Sequence, residues 1–113
     1  MAKEVVVALD AMGGDYAPVE TVHGAVDAVN ENEQIKVILV GNQEQIENEL
    51  KKYTYNKDKI EVVPSTEIID MGEVPTKAIR EKKDSSLVVA MKLVHDGKAD
   101  AIVSAGSTGA ILV

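Results

Sequence analysis

Residues 5–20 read VVVALDAMGGDYAPVE: an apolar run, a Gly-Gly turn between two aspartates, and the start of an apolar periodic segment. The run at residues 5–9 does not alternate polar with apolar residues, which indicates a strand buried on both faces of a parallel sheet. After the turn, Pro18 suits a first helical turn, and apolar residues recur with helical spacing. The residues of this stripe are Val19, Val22, Ala25, Val26 and Val29. The stretch therefore predicts a strand, a turn carrying two carboxylates, and a helix.

Short β-branched runs recur at residues 37–40, 60–63 and 101–103, and segments of helical spacing separate them. Alternation of strands and helices at this spacing predicts βαβ units with right-handed crossovers. We therefore expect an α/β fold with a mostly parallel sheet, and the loops that follow the strands should share one edge.

The connecting segments carry helix start and stop signals. Asn42 precedes a short helix with Ile46 and Leu50 inward, at capping-box spacing from Gln45. A further short helix is predicted at residues 75–81. For the last helix, the predicted N-cap is Asp84, Ser85 or Ser86. Gly97 is predicted to end this helix in the left-handed conformation. Its predicted inward residues are Leu87, Ala90, Met91 and Val94.

The composition of the chain excludes several structural and functional classes. The chain has 113 residues, a formal net charge of −7 and no cysteine, so we expect one domain, no disulfide and no nucleic-acid partner. No apolar stretch approaches the ~20 residues of a membrane span. The sequence closes on STGAILV, the apolar start of a predicted helix. We therefore expect residues 1–113 to be the N-terminal segment of one cytoplasmic α/β domain, incomplete in this chain.

Two loops are predicted at the carboxyl ends of strands, where open parallel sheets bind ligands. The loop SAGSTGA, residues 104–110, has small residues that let backbone N–H groups approach a ligand, and it precedes a helix start. It suits an anion or a carbonyl oxygen that gains charge, or it is a plain turn in which Ser107 or Thr108 caps the helix. Its candidate residues are Ser104, Gly106, Ser107, Thr108 and Gly109.

The loop DAMGGDYAP, residues 10–18, carries the candidates Asp10, Gly13, Gly14 and Asp15. The glycines permit a sharp turn, and we expect unpaired amide hydrogens of this turn and of the loop at residues 104–110 to form an electropositive cradle together. Asp10 either holds the loop by accepting backbone N–H bonds or orients a ligand, and Asp15 either caps the next helix or does the same. Two carboxylates supply too few ligands for a structural metal site, and the spacing is not that of a dinucleotide-binding loop. We therefore expect neither a metal nor another cofactor.

A basic cluster at residues 77–83 holds Lys77, Arg80, Lys82 and Lys83 in an otherwise acidic chain. The cluster is either a solvated helix face or a patch for phosphate or an acidic partner.

Three segments carry a family resemblance. VALDAMGGDYAP, STEIIDM and KDSSLVVAMKLVHDGKADAIVSAGSTGA resemble the bacterial phosphate acyltransferases of phospholipid synthesis, and the similarity covers the N-terminal portion of those longer enzymes. The resemblance implies an acyltransferase that makes acyl phosphate from acyl-acyl carrier protein and inorganic phosphate. It also implies a Rossmann-like three-layer α/β/α fold similar to isocitrate and isopropylmalate dehydrogenases.

The resemblance further implies a homodimer in the cytoplasm, at the inner face of the cell membrane, and a downstream glycerol-phosphate acyltransferase that uses the acyl phosphate. For this reaction we expect the nine loop residues above to form the substrate and phosphate site, whereas the catalytic residues stay unassigned. Two positions depart from the family: Ser107 stands where Asn is common, and Pro64-Ser65 where His-Ala is frequent. A non-catalytic anion-binding module and a nicotinamide-dependent dehydrogenase relative are the alternatives, and we expect this segment alone to be inactive.

Overall fold

A computed structural model of the chain describes residues 4–13, 17–65 and 86–104. Four strands form one sheet: β1 (Val5–Asp10), β2 (Ile35–Gly41), β3 (Ile60–Pro64) and β4 (Ala101–Val103). Three helices accompany them: α1 (Val19–Glu31), α2 (Gln43–Leu50) and α3 (Ser86–His95), with a short 3-10 turn at Lys57–Lys59. The predicted strands are confirmed, and the helix predicted at residues 75–81 lies outside the described residues.

All strand pairs in the sheet are parallel, and the strand order is β3-β2-β1-β4. The chain passes outward from β1 through β2 to β3, and then returns to place β4 on the opposite side of β1. The order of strands thus reverses between β1 and β4. This reversal is the position at which open α/β sheets bind ligands, outside the carboxyl ends of the strands.

The sheet is the middle of three layers. Leu9 and Leu39 belong to a cluster with α1 and α2 on one face, whereas Ala8 and Ile38 belong to a cluster with α3 on the other. Successive residues of a strand point to opposite faces, so the continuous apolar runs supply both clusters. The predicted α/β fold with three layers is confirmed.

Helix α1 buries four of the five residues in its predicted stripe: Val22, Ala25, Val26 and Val29. The expectation for Val19 is wrong, because 49% of its surface is exposed. Val19 is the first residue of the helix, one turn before the buried part of the stripe begins at Val22. The helix therefore reaches full packing only after its first turn.

The predicted cap of α2 is confirmed, since the side chain of Asn42 accepts a hydrogen bond from the backbone N–H of Gln45 at 3.0 Å. This bond satisfies one of the amide groups that a helix start leaves without an intrahelical partner. Ile46 and Leu50 are buried beneath the helix, as expected.

The end of α3 also agrees with the sequence. Gly97 has φ +79°, and the N–H groups of Gly97 and Lys98 donate to the carbonyls of Val94 and Leu93. This pair of bonds is the Schellman motif. Ala90 and Val94 belong to the cluster beneath the helix as predicted, whereas Met91 does not, and Val89 and Leu93 join the cluster instead. The side chain of Leu87 lies outside the described residues. The pair Val89 and Ala90 lies one helical turn before the pair Leu93 and Val94, so these four residues form the inward stripe of α3.

Candidate functional site at the carboxyl edge of the sheet

The two predicted loops meet at the carboxyl ends of β1 and β4. Leu9 pairs with Val103 in the parallel register, so the next residues, Asp10 and Ser104, lie side by side. The Ser104 hydroxyl Oγ lies 3.0 Å from Asp10 Oδ2 and donates a hydrogen bond to it. The expectation that these loops share one edge is therefore confirmed for Asp10 and Ser104.

Asp10 is a buried carboxylate with 4% of its surface exposed. Its Oδ1 accepts the N–H of Met12 at 3.1 Å, while Oδ2 accepts the Ser104 hydroxyl. Hydrogen bonds to an ionised acceptor are stronger than those between neutral groups, and a buried carboxylate needs such donors. Asp10 thus fixes the start of its own turn and the end of β4 at once.

The turn after β1 directs its amides inward. The N–H of Ala11 donates to Val40 O at 2.9 Å, that of Met12 to the Asp10 side chain, and that of Gly13 to Asp10 O at 3.4 Å. We expected unpaired amides of this turn to help form an anion cradle. For these three amides the expectation is wrong, because each has an acceptor within the protein. In the described part of the turn, Asp10 thus accepts the Met12 amide through its side chain and the Gly13 amide through its carbonyl.

Thr21, which the sequence pattern did not single out, joins α1 to the same turn. Its Oγ1 lies 2.6 Å from the Ala11 carbonyl oxygen and 3.0 Å from that of Pro18. Threonine in a helix commonly bonds back to a preceding carbonyl. The position of Thr21 in the first turn was thus a usable signal, although the contact with Ala11 depends on the tertiary fold.

Gly41, at the end of β2, is the second missed residue. A Cβ built on Gly41 would lie 2.5 Å from Met12 Cγ and 2.8 Å from Met12 Sδ. The Met12 side chain therefore occupies the space above Gly41, and glycine at a strand end can mark such a close approach. The apolar run at residues 37–40 predicts this strand only as far as Val40, one residue before Gly41.

A further hydroxyl lies at the end of β3. Ser65 donates its N–H to Gly41 O at 2.8 Å, and its buried Oγ has no hydrogen-bond partner among the residues that the structure describes. Polar or small residues therefore follow all four strands at this edge, although Ser65 received no role from the sequence.

Several predicted residues lie outside the described residues. These are Gly14, Asp15, Gly106, Ser107, Thr108 and Gly109, together with Lys77, Arg80, Lys82 and Lys83 of the basic cluster. Gly13 is described and buried within the turn. The positions of Asp10, Gly13 and Ser104 are therefore established, whereas binding by all nine site residues stays a prediction.

Other parts of the described chain carry different features. Within residues 4–13, 17–65 and 86–104, no three His, Asp or Glu side chains come close enough to hold a metal ion together. No helix in these ranges has the length and apolar character to cross a membrane. An open groove of about 600 Å³ lies between α2 and β3, with Leu50, Tyr53, Tyr55 and Ile60 among its lining residues. Neither Asp10 nor Ser104 lines this groove, so it is distinct from the strand-end site.

Comparison with known proteins identifies the family of this chain. The family model described as "Fatty acid synthesis protein" matches residues 5–113. A phosphate acyltransferase of Dictyoglomus turgidum is 54% identical over 94% of this chain and 31% of its own length. Phosphate acyltransferases of Clostridium botulinum and Clostridium kluyveri are 53% and 51% identical, each over 96% of this chain and 32% of their own length. The chain thus spans about a third of these relatives, and it belongs to the fatty acid synthesis protein family that includes the phosphate acyltransferases.

Proposed function

We propose that the full-length protein is a phosphate acyltransferase that transfers an acyl group from acyl carrier protein to inorganic phosphate. The observation that carries this proposal is the Asp10–Ser104 hydrogen bond at the point where the strand order reverses. It joins two motifs of a chain that is 54% identical to a phosphate acyltransferase.

The reaction forms one bond and breaks one. An oxygen of phosphate attacks the thioester carbonyl carbon, and the new C–O bond replaces the C–S bond. The electron pair of the C–S bond leaves with sulfur, which takes up one proton, and the acyl phosphate gives up the proton that phosphate carried. The products are acyl phosphate and the free thiol of the carrier protein. Phosphate is itself the nucleophile, so the reaction needs no covalent enzyme intermediate.

The protein must therefore hold one anion beside a carbonyl and stabilise negative charge on the carbonyl oxygen. Preorganised N–H and hydroxyl donors achieve both tasks. We assign this role to the loop that Ser104 begins, with Gly106, Ser107, Thr108 and Gly109 as binding residues. We assign to the turn with Asp10, Gly13, Gly14 and Asp15 the role of shaping the same end of the cleft.

The proposal extends to the assembly and to its surroundings. We expect a cytoplasmic homodimer that works at the inner face of the cell membrane. We also expect the acyl phosphate to pass to an acyltransferase that acylates glycerol phosphate. Residues 1–113 contribute one wall of the cleft, and the rest of the protein contributes the opposite wall.

The test is phosphate-dependent formation of acyl phosphate by the full-length protein, trapped with hydroxylamine as the hydroxamate. We expect formation from acyl-acyl carrier protein only when phosphate is present. Thr108→Ala should lower turnover about 100- to 1,000-fold if Thr108 donates to the carbonyl oxygen. Thr54→Ala, at an exposed threonine outside the site, is the matched control. The absence of hydroxamate from the wild-type protein would refute the proposed activity.

A further inference from the structure

The hydrogen bond between Ser104 and Asp10 has a fixed direction. An ionised carboxylate only accepts hydrogen bonds, and a hydroxyl has a single proton. At 3.0 Å from Asp10 Oδ2, the Ser104 hydroxyl therefore gives that proton to Asp10. Any other polar group that approaches Ser104 Oγ can bond to it only as a donor.

The surrounding structure holds this direction in place. Asp10 is 4% exposed, and its other oxygen accepts the Met12 N–H, so the carboxylate is fixed from both sides. The pairing of β1 with β4 places the two residues side by side. Turning the Ser104 proton toward a ligand would remove a donor from a buried carboxylate, which is unfavourable.

The Asp10–Ser104 pair therefore distinguishes oxyanions that carry a proton from oxyanions that carry none. An oxyanion without a proton meets the lone pairs of Ser104 Oγ and, behind them, the negative charge of Asp10. An oxyanion that carries a proton can donate it to Ser104 Oγ and gain a hydrogen bond. Near neutral pH, inorganic phosphate keeps at least one proton, whereas sulfate keeps none.

We propose that Ser104, through its hydrogen bond to Asp10, accepts a hydrogen bond from the P–OH group of inorganic phosphate and so selects phosphate over unprotonated oxyanions. This inference rests on the proposed function, in which phosphate is the substrate. It makes Ser104 a residue that determines specificity and Asp10 the residue that positions it. The bond to Ser104 also orients phosphate, so that an unprotonated oxygen is the one that faces the thioester.

The test compares phosphate with sulfate and monofluorophosphate, in which fluorine replaces the hydroxyl group. Calorimetry on the full-length protein gives the Kd of each anion without acyl substrate, and sulfate inhibition gives a second estimate during turnover. For the wild-type protein we expect both proton-free anions to bind at least about tenfold more weakly than phosphate, a ratio that corresponds to about 1.4 kcal/mol.

Three variants locate the cause of this preference. Ser104→Ala removes the acceptor, and Asp10→Asn allows Ser104 to donate, so both should reduce the preference for phosphate by about tenfold. Ser104→Thr keeps the hydroxyl and should retain the preference. Ser65→Ala is the matched control, since it removes a hydroxyl at the same sheet edge that makes no hydrogen bond to Asp10.

The outcomes separate this inference from the proposed function. Equal binding of phosphate and sulfate by the wild-type protein overturns the inference, whether or not any variant folds. Acyl phosphate formation with an unchanged preference in Ser104→Ala or Asp10→Asn also overturns it, while the proposed function stands. Selective phosphate binding that these two variants abolish supports it even if the protein forms no acyl phosphate, in which case the proposed function fails.

Discussion

Asp10 and Ser104 are 94 residues apart in the sequence, and a 3.0 Å hydrogen bond joins their side chains at the carboxyl edge of the sheet. The contact requires that β4 return to the side of β1 opposite β2, because only this strand order makes the two residues neighbours. The same bond adds a side-chain contact to the backbone pairing of β1 with β4. It therefore links the packing of the sheet to the chemistry proposed at its edge.

The energetic coupling of this pair can be measured by a double-mutant cycle. We expect Asp10→Asn and Ser104→Ala to interact by about 1.5–3 kcal/mol in the free energy of unfolding, the range for hydrogen bonds to charged groups. Urea unfolding of the four proteins measures this coupling. Asp10→Asn combined with Asn42→Ala is the control pair and should be additive within about 0.5 kcal/mol. Additivity of the Asp10 and Ser104 substitutions would show that the bond contributes nothing to stability.

Gly41→Ala should destabilise the protein by about 1–3 kcal/mol, because its new methyl group would overlap the side chain of Met12. Gly24→Ala is the matched control, since a Cβ at this exposed helical glycine meets nothing within 4 Å. That control should stabilise by about 0.5–1 kcal/mol. Thermal unfolding compares the two, and Met12→Ala should rescue Gly41→Ala. A Gly41→Ala protein as stable as the wild type would contradict the close approach of Met12.

Gly97→Ala should cost about 1–2 kcal/mol, since a residue with a Cβ is strained at φ +79°. Gly97→Asn should cost less, because asparagine tolerates the left-handed region better than alanine. Chemical denaturation gives both values. Equal stability of the alanine variant and the wild-type protein would show that α3 does not end in the left-handed turn.

The sequence predicted the fold well because each strand and helix is encoded locally. The apolar runs mark strands buried on both faces, Asn42 caps α2, and Gly97 takes the positive φ that ends α3. The prediction for the apolar stripe of α1 was wrong only at Val19. Spacing shows which face of a helix a residue occupies, but it does not show whether a neighbouring element covers that residue. Burial at helix ends depends on how far the neighbouring elements extend.

The candidate site was predictable in position, but its hydrogen bonds were predictable only in part. The strand-end rule places Asp10 and Ser104 at one edge, and the structure brings them into contact. That Asp10 accepts a backbone N–H of its own loop was one of the two roles expected for it, and the Met12 N–H confirms it. The acceptor of the Ala11 amide could not be read from the sequence, because Val40 lies on another strand. Thr21 and Gly41 were missed for the same reason: each acts through a tertiary contact.

The ion pair between Glu4 and Lys59 provides a pH-dependent test of the packing between the start of β1 and the start of β3. The hydrogen bond from the Lys59 ammonium holds the pKa of Glu4 below its ordinary value. A carboxyl group whose pKa is lowered by folding stabilises the folded state at pH values above its ordinary pKa. This stabilisation is lost as the pH falls through the pKa of the folded state. We expect Lys59→Met to raise the Glu4 pKa in an NMR titration and Lys51→Met to leave it unchanged. No change in Lys59→Met would contradict the contact.

A crystal structure of the full-length protein with inorganic phosphate tests the central claim most directly. We predict phosphate at the carboxyl edge between β1 and β4, with one of its oxygens about 2.5–3.0 Å from Ser104 Oγ while Ser104 keeps its bond to Asp10. Phosphate bound away from this edge, with Ser104 not in contact with it, would contradict the account.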